Sequence, residues 1–348
     1  MIAIAQRRAL LVGSIPAATA EEAMTEAVGE LGPFLRALPD GETGDRDRWI
    51  AGTIEGFRRN PDLVVRREGD WSDYKRQLNY SVRRGHRLTG EDLDVRLYRP
   101  FRDSRGIFQR LRADSGRTDL AFQVGVPGDF DLAMFTLGPL RALRHRGAFT
   151  AATVREVARI HAEAGVDVVF QLEMPAELVL VTKAPRVLRG VLASLMARGV
   201  ARLIDRSPQD ARFGVHLCLG DLGHKALGRM RDADPVVRLA NAIASAWPAG
   251  HPLEYLHAPL AAGENPPPLD PAFYRPLARL RLPERTRFVA GFLHERRSID
   301  QVRRILEMVE SQYGRSVDVA AACGLARRGH DNALATMRQA AALCAGVG

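Results

Sequence analysis

Eight short apolar runs, each followed by a stretch with helical spacing, constrain this chain more than any other feature. They are RALLVGS (8–14), FLRALPDGE (34–42), LAFQVGVPG (120–128), DVVFQLEMP (167–175), RFGVHLCLG (212–220), PLEYLHAPL (252–260), RFVAGFLHE (287–295) and VDVAAACGL (317–325). Nearly continuous hydrophobicity in a strand means that both of its faces are covered, the condition of a parallel sheet lying between helices. FTAATVREVARIHAEAG (149–165) has apolar residues at helical spacing and ends on glycine, which reads as a helix and its stop. APRVLRGVLASLMARG (184–199) and IDQVRRILEMVESQYG (299–314) repeat the pattern. Eight such units predict an α/β fold, a single (β/α)8 TIM barrel over residues 1–348.

Residues 43–119 break the rhythm. They hold GDRDRWIAG, the aromatic piece DWSDYKRQLNY and many charges, and they exceed an ordinary connection. They read as an elaboration inserted between the second and third strands, either a partial lid over the barrel mouth or a homodimer contact. AAGENPPPLDPAFYRPL (261–277) is Pro-rich and irregular, as loops are.

With 50 Lys and Arg against 41 Asp and Glu, the formal charge of +9 invites a nucleic-acid reading. The basic residues are scattered and accompanied by acids, so an anionic small molecule or a solvated surface is the better reading, and no nucleic-acid partner is expected. No apolar run reaches the length of a membrane span, and ALLVG, after the two early arginines, is too short for a signal-peptide core. A cytoplasmic enzyme is expected. Cys218, Cys323 and Cys344 are too few and too dispersed for a disulfide framework and read as reduced thiols.

Barrels of this class build their active sites at the C-terminal strand ends. There the sequence places Ser14, Asp40, Glu42, Asp129, Asp131, Glu173, His216, Cys218, His257, His294, Glu295 and Cys323. His216 and Cys218 are two apart on one strand, so they project from the same face and can share one ion. Cys323, from the last strand, can meet them across the barrel, and imidazole with thiolates is a donor set zinc favours. A lone H-x-C is a weak signal, because a buried cysteine is commonly just a small hydrophobe. By position, His294 or Asp129 could donate a proton to a departing group, with a structural hydrogen-bonding role as the alternative for each. Cys344 sits in a terminal helical run and reads as structural.

Five segments follow one another in a recognisable order: VGSIP (12–16), PDGE (39–42), FQLEMPAEL (170–178), HLCLGD (216–221) and AACGL (321–325). Together they resemble the catalytic C-terminal barrel of cobalamin-independent methionine synthase and its single-barrel relatives. That superfamily shares its fold with uroporphyrinogen decarboxylase and the coenzyme M methyltransferases. The resemblance implies a Zn2+ cofactor held by His216, Cys218 and Cys323, with a fourth ligand from the sixth strand. There LEYLHAP offers Glu254 and His257, three apart and so on opposite faces; His257, at the strand mouth, is the expected ligand, and a site of three residues alone is the alternative. It further implies that Ser14, Glu42 and Glu173 hold the amino-acid part of a thiol substrate.

The implied activity is zinc-dependent alkyl (methyl) transfer, with the thiol activated as a zinc thiolate and a small-molecule alkyl donor. Departures from the family pattern point to a specialised relative. Glu173 replaces an aspartate, Met174 replaces the following glutamate, and GVPGDFDLAMF lacks the tryptophan of the folate-stacking surface. An alternative keeps the barrel and the zinc but makes it a lyase, hydrolase or decarboxylase, with Glu42, Asp129 and Glu173 moving protons. A third class, a binding protein that retains only the barrel, predicts a pocket without metal.

Overall fold

The computed structural model describes residues 6–346, and in it the eight apolar runs form one eight-stranded parallel sheet. In chain order the strands are β1 (Ala9–Leu10), β2 (Ala37–Pro39), β3 (Leu63–Arg67), β4 (Asn79–Val82), β5 (Ala121–Pro127), β6 (Val168–Met174), β7 (Arg212–Leu217), β8 (Leu253–Pro259), β9 (Arg287–Leu293) and β10 (Asp318–Ala321). β3 and β4 pair only with each other, as an antiparallel hairpin. The sheet runs β1-β10-β9-β8-β7-β6-β5-β2, and a parallel bridge from Ala9 to Leu35 joins its two edges. The fold is the expected (β/α)8 barrel.

Helices α1 (Ala20–Leu31), α2 (Trp49–Gly56), α3 (Tyr98–Asp114), α4 (Asp129–Leu137), α5 (Pro139–Ala164), α6 (Pro175–Lys183), α7 (Arg189–Asp205), α8 (Asp234–Ala246), α9 (Ile299–Tyr313) and α10 (His330–Cys344) lie between and after the strands. Between β8 and β9 the Pro-rich stretch makes only short 3-10 turns, at Pro271–Phe273 and Arg275–Arg279. Among the described residues no helix is long and apolar enough to cross a membrane.

Local signals set both ends of one helix clearly. α9 opens on a capping box between Ser298 and Gln301 and closes on Gly314 at φ 76°. α5 begins at Pro139, ten residues before the predicted start, and α7 runs through Gly199 to Asp205. Gly199 is therefore no helix stop. The Arg146 guanidinium fills the space a side chain there would need, and it binds Asp129 at 2.5 and 3.0 Å.

The stretch from 43 to 119 divides in two. Its first part, α2 and the β3–β4 hairpin, is a true addition. Its last part, α3, is the helix that the barrel places between its second and third strands: Phe108 stacks on Phe122 of β5 with centroids 5.0 Å apart. Heavy arginine content hid this helix, whose buried face is reduced to Phe101, Ser104 and Phe108.

Alternation along the strands separates two interiors. On β6, Val168, Phe170, Leu172 and Met174 join the outer core beneath the helices, whereas Val169, Gln171 and Glu173 face the barrel axis. The bottom of the barrel is apolar: Leu10, Ala37, Ala121, Val169, Tyr255, Val289 and Ala320 pack as one layer. Above it lies a polar floor. The Tyr255 hydroxyl donates to Gln171 Oε1 at 2.9 Å, Gln123 donates to the Leu11 and Val12 carbonyls at 2.8 and 3.0 Å, and Gln171 also donates to Val12.

Tyr255 fits because its register partner on β7 is Gly214, where a Cβ would overlap the ring. Gly214→Ala is expected to destabilise the protein by about 1–3 kcal/mol through overpacking and displacement of the floor. Urea denaturation checks this; unchanged stability would mean that the ring has free space elsewhere.

Candidate active site

Strand register brings the site together. His216 on β7 pairs with Glu173 on β6 and with His257 on β8, so three polar side chains occupy one level at the barrel mouth. Cys218 comes one residue after β7 ends and Cys323 two residues after β10 ends. One donor atom each from His216, Cys218 and Cys323 lies within 4.8 Å of the others, and the two sulfurs are 3.6 Å apart.

His257 sits behind His216 instead of beside the sulfurs. Its Nε2 lies 2.9 Å from the Ala321 carbonyl oxygen, and its Nδ1 lies 2.7 Å from Nδ1 of His216. A carbonyl only accepts, so His257 Nε2 carries the proton. Burial pushes the His257 pKa down to about 4 and holds His216 well below its usual value, so both rings are neutral. His257 Nδ1 is then an acceptor, His216 Nδ1 donates to it, and His216 Nε2 is left with a bare lone pair. That atom is buried without a hydrogen-bond partner, with Glu173 Oε2 at 3.6 Å. His257, expected as the fourth ligand, thus has both ring nitrogens engaged in hydrogen bonds. Glu254 pairs with Arg212 at 2.9 Å, at the start of β8 and away from the mouth.

The thiols are unequal. A hydrogen bond from Cys218 lowers the Cys323 pKa, while the same contact and burial raise that of Cys218. Burial disfavours the Arg327 cation, but the neighbouring Cys323, Asp221 and Glu42 outweigh it and raise its pKa.

A cavity of about 130 Å³ opens over the sulfurs, and Ser14, Glu42 and Glu173 border it together with Cys218 and Cys323. Burial, then the neighbouring Asp40, pushes Glu42 up to about 7. Burial and Glu42 raise Glu173 well above the usual carboxylate range. A larger cavity of about 850 Å³ lies beside it and shares Gly13 and Glu42, but no sulfur borders it.

The two expected proton donors lie outside the wall of the smaller cavity. Asp129 is buried against Arg146 and accepts from the Thr150 hydroxyl at 2.6 Å. His294 donates to the Gly263 carbonyl at 3.1 Å and accepts from the Arg296 amide at 3.1 Å, so both ring nitrogens are engaged. Beside it His224 stands between Asp221 at 3.7 Å and Glu295 at 3.3 Å, which raise its pKa to about 9. Arg328 holds Glu295 at 2.5 Å, so this neighbouring group is an ion-pair network already supplied with positive charge.

Asp131, a strand-end candidate, also borders this cavity from α4, whereas sequence reasoning did not single out Trp71 and Tyr74 from the β3–β4 loop, Phe135 from α4, Asp221 or Arg327. The signal for the first two was the aromatic DWSDYKRQLNY inside an otherwise polar insertion. Asp221 closes the HLCLGD segment.

In fold the chain is similar to a methyltransferase from Methanosarcina mazei, with a TM-score of 0.54 and 12% sequence identity, over 99% of this chain and 94% of that one. Likeness at that identity speaks to the fold alone. The sequence matches no protein-family model and no curated protein.

Glu42 gives the site a pH signature. Its folded pKa of about 7 exceeds the ordinary 4.5, so the native state binds the proton more tightly than the unfolded chain between these values. Its contribution to stability is therefore present below pH 4.5 and is lost as pH rises through about 7. Glu42→Gln is expected to be more stable than wild type by about 1–3 kcal/mol at pH 8, with the gap closing in acid. Denaturant titrations across this range check it; a gap independent of pH would mean a solvated carboxylate.

Proposed function

We propose that the protein is a zinc-dependent alkyl transferase, methyl being the simplest group, acting on a small thiol. The observation that carries this reading is the bare Nε2 of His216 clustered with two thiol sulfurs within 4.8 Å. A buried lone pair with no partner is unfavourable unless something binds it, and one nitrogen with two sulfurs is a donor set matched to zinc. When bound, zinc supplies positive charge that lowers the pKa of a coordinated thiol and keeps its sulfur anionic near neutral pH.

The chain's own groups do the remaining work. His216, Cys218 and Cys323 would hold the metal as three protein ligands, which leaves a position for the substrate sulfur. His257 is a positioning residue: it fixes the tautomer and the ring plane of His216. Ser14, Glu42 and Glu173 border the cavity where the substrate's polar end would lie, and their oxygens offer hydrogen-bond acceptors to an ammonium there. Trp71 and Tyr74 cover that space and limit water. The fold likeness to a methyltransferase supports this reading.

Metal analysis tests it. Wild type purified with zinc is expected to hold about one ion per chain, and Cys218→Ser and Cys323→Ser roughly a tenth of that or less. His257→Phe is expected to weaken zinc affinity by about 10-fold, because His216 loses its fixed tautomer. A cobalt-substituted protein should change its absorption spectrum when a small thiol such as homocysteine is added. Equal zinc content in all three proteins would overturn the assignment.

A further inference from the structure

Three aromatic rings border the cavity that holds the sulfurs. Trp71 meets Phe135 edge to face with centroids 5.9 Å apart, and the Tyr74 hydroxyl accepts the Leu222 amide at 2.9 Å. Asp131 and Phe135 are four apart on α4 and so lie on the same face of the helix. Asp131 is 1% exposed; its Oδ1 accepts from the Ala176 amide at 2.9 Å, and its Oδ2 has no hydrogen-bond partner. Asp221, in the same wall, is already matched by His224 at 3.7 Å and by the Arg327 cation, so Asp131 is the acid left open.

A buried acid oxygen without a donor, set beside aromatic rings, is costly to leave unmatched. A cation with apolar surface satisfies both: ring faces attract it through their quadrupoles and Asp131 through the charge it develops beside the cation, and it needs no hydrogen bond of its own. The wall's two arginines do not pre-empt that role. Arg327 is held among Cys323, Asp221 and Glu42, and Arg48 is exposed to solvent.

We propose that the alkyl donor is a small onium compound, a quaternary ammonium or tertiary sulfonium, whose positive head lies against Trp71, Phe135 and Asp131. The inference rests on reading the site as an alkyl transferase. The cavity of about 130 Å³ favours a compact head with a short tail over a drug-sized ligand, whose sites span roughly 300–1,000 Å³. In the reaction an electron pair of the substrate's thiolate sulfur forms the new carbon–sulfur bond. The bond from that carbon to the onium nitrogen or sulfur breaks, and its pair returns to the departing atom. A tertiary amine or a thioether leaves uncharged, so no proton is required. This agrees with the placement of Asp129 and His294 outside the cavity wall, with their polar atoms engaged elsewhere.

Calorimetric titration of the full-length protein, with zinc content measured on the same sample, tests the inference. The probes are choline and its uncharged carbon isostere 3,3-dimethylbutan-1-ol. Choline is expected to bind at least about 10-fold more tightly than the isostere. Trp71→Leu should lose about 10-fold or more of choline affinity, while Trp71→Phe, which keeps a ring, recovers most of it. Burial, then the neighbouring Glu177, raises the Asp131 pKa well above the usual carboxylate range, so its charge develops against the bound cation; Asp131→Asn keeps the acceptor for Ala176, cannot ionise, and should lose about 5-fold or more. Circular dichroism and zinc content are expected to be unchanged in all three variants. Equal affinity for the two probes, no choline binding, or full choline affinity in both Trp71→Leu and Asp131→Asn would overturn the onium site. Discrimination in a protein that holds no zinc would sustain the cation site and overturn the transferase reading; zinc without discrimination would do the reverse.

Discussion

The carbonyl oxygen of Ala321 can only accept a hydrogen bond, and that restriction passes through two rings to the centre of the site. It fixes the proton of His257 on Nε2, turns His257 Nδ1 into an acceptor, and obliges His216 to donate from Nδ1. What remains is a lone pair on His216 Nε2, aligned and neutral, at the level where the sulfurs converge. Both imidazoles are desolvated, so neither takes up a proton that would break the relay. The arrangement joins three strand ends, those of β7, β8 and β10, and depends on their register being held by the closed sheet.

The barrel supports that register with a layered interior. At the bottom the strands pack apolar side chains against one another; above, Gln123, Gln171 and Tyr255 form a hydrogen-bonded floor whose acceptors include the carbonyls of Leu11 and Val12. The floor lets polar chemistry begin partway up a barrel whose base is apolar, and Gln171 carries it further by donating to Glu173 at 2.7 Å. Such a partition leaves the base to provide stability and the mouth to provide reactivity.

Much of this was legible in the amino-acid order, for physical reasons. Strands buried on both faces give unbroken apolar runs, so all eight were visible, and two-residue spacing placed His216 and Cys218 on one face. Cys323 was readable as a strand-end residue of the last unit. The parts that were hidden depended on partners far away in sequence. Gly199 looks like a helix stop until Arg146 is seen to need its space, and α3 looks like loop because arginines cover most of its surface. His257 has the chemistry of a ligand, and only the carbonyl of Ala321 and the ring of His216 show that both nitrogens are committed. Asp129 and His294 stand near strand ends as expected, but their orientation is set by Arg146 and by Gly263, which no local pattern announces.

Two of the rings that border the cavity with Cys218 and Cys323 come from neither strand nor barrel helix; Trp71 and Tyr74 belong to the loop joining β3 to β4. That hairpin pairs only with itself, so the closed sheet does not depend on its strand pairing. On the proposed reading, selectivity and reactivity are thereby encoded in separable pieces of chain. Exchange of the hairpin between descendants of one barrel could redirect the choice of partner molecule in a single genetic event while the sulfur-bearing strand ends pass on unaltered.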